Sequence, residues 1–254
     1  MSLLKVDGLS KHFGGVHAVE DLSFALPEGG VHSIIGPNGA GKTTLFNLIT
    51  GVYQPSEGHI YFADHPIHAG APHKLAKMGI SRTFQNLQIC RNMGALENVM
   101  VGRHLRLNKG LMSAMLRLPG LRRQEEECRE KSAELMKFVG VEEYVGTWAD
   151  SMPYGALKRL EIARALAAEP RLLLLDEPAA GLNHQETDEI DELIQKVAES
   201  GVTVVLVEHD MKLVMGISDH IIVLDRGKKL TEGTAQAVQS HPDVITAYLG
   251  AAAA

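Results

Sequence analysis

Hydrophobic and polar residues alternate in the first third of the chain. LLKVDGL (3–9), HAVEDLSFAL (17–26) and GHIYF (58–62) are short, partly alternating and separated by glycine-rich breaks, the pattern of half-buried strands. VHSIIG (31–36) is mostly apolar and ends in a glycine loop. KTTLFNLITG (42–51) follows as a helix closed by Gly51. From about 94 to 168 the spacing becomes helical. Within LRRQEEECREKSAELMKFVG (121–140), Leu121, Cys128, Leu135 and Met136 fall on one face, and Glu127 and Lys131 form an i,i+4 pair. SMPYGALKRLEIARAL (151–166) reads as a turn entering an amphipathic helix that stops before Pro170. The last third alternates again: strand 171–176, helix about 184–199, strand 202–207, helix about 210–216, strand 221–225.

Strands alternating with helices predict an α/β core with a mostly parallel sheet. The β-rich start and the helical middle add an N-terminal antiparallel β subdomain and an inserted α-helical subdomain. The expected organisation is a single domain, 1–254. Approximately, residues 1–88 and 160–254 form the core with its β subdomain, and 89–159 the helical lobe. No internal repeat is visible.

Composition narrows the partners. The chain has 254 residues, 45% hydrophobic and 22% charged, with net charge −6 and a pI near 6.1. A sizeable core is available, and no basic stripe points to nucleic acid. Cys90 and Cys128 have no metal or redox spacing. The runs VTVVLV (202–207) and LLLL (172–175) are far short of the roughly 20 residues that span a bilayer, and the N-terminus lacks a signal-peptide pattern. Any membrane role is expected to be peripheral, through a partner.

The chemistry concentrates in GPNGAGKTT, residues 36–44, which fits G-x-x-x-x-G-K-[ST] between a predicted strand and a predicted helix. Gly36, Gly39 and Gly41 let the backbone around Asn38 and Ala40 curl, so that successive N–H groups form an anion nest. The helix start adds partial positive charge. Lys42 reaches the β- and γ-phosphates, Thr43 offers a hydroxyl to Mg²⁺, and Thr44 reaches another phosphate. RLLLLDE (171–177) supplies the matching acids: Asp176 for Mg²⁺, through water, and Glu177 to accept a proton from an attacking water.

With KHFGGVHAVEDLSF, GPNGAGKTT, RTFQN, YGALKRLEIARAL, LLLLDEP, AAGLN and VEHD in one order, the chain resembles the ATP-binding subunits of ABC transporters along almost its whole length. Within them RTFQNLQICRNMGALENVMVGRHLRL, MPYG and EPAAGLN are most similar to the branched-chain amino-acid importer type. The resemblance implies a P-loop NTPase with a RecA-like core, and an ATPase that uses ATP and Mg²⁺. Its partners would be a second ATP-binding subunit (the same or different), two transmembrane permeases and, indirectly, a periplasmic binding protein. Its place would be the cytoplasmic face of the inner membrane. Residue by residue it implies adenine stacking on Phe13 with Val19 nearby; Phe13 as a plain core aromatic is the alternative. Gln85 would contact Mg²⁺ and the attacking water and sense the membrane subunit. His209 would contact the γ-phosphate and keep Glu177 and the water in position.

The family's Leu-Ser-Gly-Gly-Gln turn falls on Met152–Ala156, where only Gly155 matches. By resemblance this turn faces ATP held by the partner. Pro153 removes a hydroxyl and an N–H, and is tolerated at a helix start because its N–H would be unpaired there. Asn183 stands where aspartate is commoner; with Glu186 it spells a capping box, and subunit communication is the other reading. His65, His68 and His73 read as an exposed loop. The apolar segment 109–120, with Leu111, Met112, Met115 and Leu116, reads as packing of the helical lobe or a patch for a membrane partner. Two further functions stay open: a nucleotide-gated clamp with little hydrolysis, and an exporter ATPase.

Overall fold

The computed structural model describes residues 2–106 and 119–251. Two sheets organise it. In the first, β1 (Ser2–Phe13), β2 (Val16–Pro27), β4 (Glu57–Phe62) and β5 (His65–Pro66) are antiparallel in the order β2-β1-β4-β5. The second has six strands in the order β10-β9-β3-β8-β7-β6. Its parallel members are β3 (Val31–Ile35), β6 (Ile80–Arg82), β7 (Leu172–Asp176), β8 (Thr203–Val207) and β9 (His220–Asp225). At one edge β10 (Lys228–Gly233) runs antiparallel to β9.

The central strands β3, β7 and β8 are buried at every position, as expected for parallel strands covered on both faces. The strand period of two divides their side chains between two cores. Leu172, Leu174, Val205 and Val207 face the core shared with the antiparallel sheet, while Leu173, Leu175, Val204 and Leu206 face the helical side.

The helices are α1 (Lys42–Ile49), α2 (Pro72–Met78), α3 (Ala95–Gly102), α4 (Pro119–Phe138), α5 (Tyr154–Leu166), α6 (His184–Glu199), α7 (Met211–Ile217), α8 (Ala235–Gln239) and α9 (Pro242–Ala251). In α4, Cys128 and Met136 are buried, Leu135 is half-buried, and Glu127 pairs with Lys131 at 2.8 Å. Leu121's side chain and the segment with Leu111, Met112, Met115 and Leu116 lie outside the described residues.

Helix α5 departs from the amphipathic expectation. Nine of its residues are buried, among them Lys158 and Glu161. It lies between the main sheet and α3 and α4 rather than on a surface, so apolar residues occupy most of its circumference. It also runs unbroken across residue 159, where the sequence set the edge of the helical lobe. Its N-cap is Pro153, in extended conformation, so the proline precedes the first turn instead of sitting within it.

Asn183 caps α6. Its Oδ1 accepts from the Glu186 N–H at 3.0 Å, and Glu186 Oε2 accepts from the Asn183 N–H at 3.0 Å. Asn183→Ala is expected to lower stability by about 1 kcal/mol, read as an earlier urea midpoint at unchanged slope. An unmoved midpoint would show the cap to be dispensable.

Candidate functional site

The loop 36–41 joins the end of β3 to α1. Gly41 sits at the helix entrance with φ of 97°, and a Cβ there would collide with the Ala18 carbonyl oxygen; only glycine lets the loop lie this close to β2. The β9–β10 turn backs the loop: the Gly227 N–H donates to the Ala40 carbonyl at 3.1 Å. The Lys42 ammonium bridges the loop, donating to the carbonyls of Gly36 at 2.7 Å and Pro37 at 3.1 Å. Burial pulls its pKa down, and the carboxylates of Glu177 and Asp176 pull it up.

A cleft of about 340 Å³ opens in front of this loop. It is lined by Val16, His17, Ala18, residues 38–44, Gln85 and Glu177. A larger cavity, about 620 Å³, lies behind the loop against Asp225, Arg226 and α9. It lacks Lys42, Thr43, Gln85 and Glu177, so the chemistry belongs to the smaller cleft.

Gln85, Glu177 and His209 come together from three separate segments. Gln85 Nε2 donates to Glu177 Oε2 at 3.0 Å, and His209 Nδ1 is 3.9 Å from Glu177 Oε1. The Glu177 backbone is left-handed, with φ of 50°, an uncommon state for a side chain of this kind. Its N–H donates to the Val207 carbonyl at 2.9 Å, and its carbonyl accepts from the Lys158 ammonium at 3.2 Å. Asp176 is buried at 2% exposure and pairs with Arg82.

Val19 is placed differently from the expectation. Val19 is fully buried in the core beneath Gly41; the apolar residue facing the cleft is Val16. Register shifts in the β1–β2 pair reset which side chains face outward. Phe13 is exposed, refuting the core reading, with Tyr53 edge-on at 5.2 Å and the Lys11 ammonium 5.0 Å from its ring centre. Gly155, expected at the partner's nucleotide rather than in this cleft, is buried at the start of α5, beside Glu186.

Among the described residues, four buried charges close to the site escaped notice in the sequence. Arg82 lies inside RTFQN and Lys158 one turn beyond Tyr154, both within segments already singled out. Lys158 is buried at 3% exposure, and its pKa is pulled down by desolvation. Glu161, one turn further, accepts from the Gln88 N–H at 3.1 Å, and burial pushes its carboxyl up. Glu208 accepts from the Ala179 N–H at 2.9 Å and the His209 N–H at 3.1 Å, tying the loop after Glu177 to the one carrying His209. Burial raises its pKa too.

The donor set fits a nucleotide polyphosphate with a hard cation. Backbone N–H groups at a helix start and Lys42 suit phosphate, and the oxygens of Thr43, Gln85, Asp176 and Glu177 suit Mg²⁺. Among the described residues no group of three or more His, Cys, Asp or Glu could hold a metal by itself. Among them, too, no helix is long and apolar enough to cross a membrane.

Comparisons with known proteins bear on the family and the fold. The ABC transporter family matches residues 19–180, and the branched-chain amino acid ATP-binding cassette transporter family matches residues 228–254. The high-affinity branched-chain amino acid transport ATP-binding protein BraF of Pseudomonas aeruginosa is 47% identical over 251 residues, 98% of each chain. The protein of that description named LivG in Escherichia coli K12 is 45% identical, again over 98% of each chain. A crystal structure of an ATP-binding cassette in its ADP conformation has TM-score 0.86 at 31% identity, covering 98% of this chain and 99% of that one. A dimeric post-hydrolysis cassette bound to ADP and Pi has TM-score 0.77 at 27% identity, covering 91% and 98%.

Proposed function

We propose, from the premise that this chain belongs to the ABC transporter family, that it energises uptake of branched-chain or related amino acids. It is an ATP-binding subunit with ATPase activity and the P-loop NTPase fold. The relatives named for branched-chain amino acid transport span nearly its full length, which supports the substrate class.

The observation that carries the catalytic reading is the meeting of Gln85 and Glu177 on the wall of the P-loop cleft, with His209 3.9 Å from Glu177. In this reading residues 36–44 grip the phosphates, and Lys42 exchanges its carbonyl partners for phosphate oxygens. Thr43 and Gln85 would hold Mg²⁺, with Asp176 acting through water, and the ion would supply neutralisation of charge on the phosphates. Glu177 takes the proton of the attacking water. His209 sits beside the γ-phosphate and keeps Glu177 in line. Adenine rests on Phe13. The chain pairs with a second ATP-binding subunit, as in the dimeric cassette. The start of α5 then faces the partner's nucleotide through the N–H groups of Gly155 and Ala156. Two permeases anchor the pair at the cytoplasmic face of the membrane, and a binding protein delivers the substrate from the other side.

The test is ATP hydrolysis by the transporter in liposomes, with its binding protein loaded in turn with leucine, isoleucine, valine, other amino acids or amides. The expected result is stimulation by a branched-chain amino acid. Stimulation only by another ligand overturns the substrate class and leaves the ATPase standing. Tight ATP binding without phosphate release in a single turnover would instead make the chain a nucleotide-gated clamp.

A further inference from the structure

Arg82 is buried against Asp176, yet it does not line the nucleotide cleft. It stands on β6, three residues before Gln85. Its Nη2 donates to Asp176 Oδ2 at 2.6 Å and its Nη1 to Asn47 Oδ1 at 2.5 Å. The guanidinium lies between the rings of Phe46 and Phe84, 5.4 and 5.0 Å from their centres. The side chains of Arg82 and Asp176 are 7% and 3% exposed, and Arg82 Nε is buried without a hydrogen-bond partner. On its outer side Arg82 lines a separate cavity of about 240 Å³ with Thr50, Val52, Leu75 and Phe84. Val52 and Phe84 are exposed there. One side chain thus reaches from the carboxylate at the end of β7 to the protein surface.

A buried carboxylate already paired with a guanidinium has its charge largely spent. A dication brought beside it meets an unscreened positive neighbour, and repulsion between cations is strong where water is excluded. The effect is reciprocal, so whatever Arg82 costs the dication, the dication costs the grip of Arg82. We propose that Arg82 is the resident counter-cation of Asp176 and that Mg²⁺ competes with it for this carboxylate. Arrival of the metal then loosens Arg82 and, with it, Phe84 at the outer cavity. Arg82 is a positioning residue that reports the state of the metal site to the surface. This inference rests on the reading of Asp176 as a Mg²⁺ residue.

The test uses the full chain with ADP, titrating free Mg²⁺ and following the gain in ADP affinity. Arg82→Gln should move the midpoint to about tenfold lower Mg²⁺, because a neighbouring full charge is gone. Arg82→Lys keeps the charge but loses the planar fork, and should stay within about threefold of the unaltered chain. An unchanged or higher midpoint in folded Arg82→Gln overturns the competition. Removing one partner of a buried pair can prevent folding, so a second measurement needs no destabilised variant. The ¹⁵N resonance of Arg82 Nε–H, assigned by its absence from Arg82→Lys, should shift when Mg²⁺ is added to the ADP complex. A resonance that stays put overturns the proposal. Asp176→Asn separates the two readings. If it keeps the midpoint of the unaltered chain, the metal assignment of Asp176 falls and the inference with it. If it loses the Mg²⁺ response while the Arg82→Gln midpoint does not move, only the competition falls.

Discussion

Glu177→Gln is expected to bind ATP as the unaltered chain does and to hydrolyse it about 10²- to 10⁴-fold more slowly, the usual size of a general-base contribution. The geometry makes this substitution a clean one. The residue is positioned mainly by its backbone, through the Val207 carbonyl and the Lys158 ammonium, and both contacts survive the change. A glutamine carbonyl can still accept from Gln85 Nε2, now 3.0 Å from the carboxylate. What is lost is the capacity to take a proton. Phosphate contacts come from residues 36–44, so affinity should hold. Single-turnover phosphate release beside equilibrium ATP binding makes the measurement, and near-normal turnover would remove Glu177 from the catalytic role.

Gly155→Leu should leave ATP binding by the isolated chain intact and reduce hydrolysis in the assembled transporter by about 10²-fold or more, the scale for losing oriented donors to developing charge. Inside α5 the Leu157 N–H reaches the Pro153 carbonyl at 3.0 Å, so the free donors of the helix start are those of Tyr154, Gly155 and Ala156. A Cβ at Gly155 would lie 2.6 Å from Glu186 Oε1. The larger side chain therefore displaces Glu186, disturbs the Asn183 cap, and covers the donors proposed to face the partner's nucleotide. Unchanged turnover in the transporter would sink this role for the turn. Loss of ATP binding as well would trace the effect to folding, which Gly155→Ala, with its smaller intrusion, separates by degree. The missing serine at Pro153 then matters less than it looked, because the proline lies before the first turn and leaves these donors untouched.

How much was legible depended on how local the signal was. The strands at 31–35, 172–176 and 203–207 are apolar runs bounded by turns, and burial on both faces makes such runs visible. The start of helix α6 was legible, since Asn183 and Glu186 spell it and a regular apolar stripe follows. Strand β6, three residues long, carries no period to detect, and α5 has lost its polar face to burial on several sides. Val19 turns into the core and Val16 toward the cleft because register shifts in β1–β2 change which side chain faces outward, and those shifts come from pairing with another strand.

By itself the sequence determined the phosphate loop, the two acids after the leucine strand, and the order of motifs that places the chain among ABC ATP-binding subunits. Each is written in adjacent residues, with spacing set by backbone geometry. The tertiary structure alone decided which charges meet. Arg82 reaches Asp176 across 94 residues of chain, Gln85 reaches Glu177 across 92, and Lys158 turns inward to the Glu177 carbonyl. Such contacts follow from which strand lies beside which, and burial, by stripping water from these groups, is what turns their proximity into coupling.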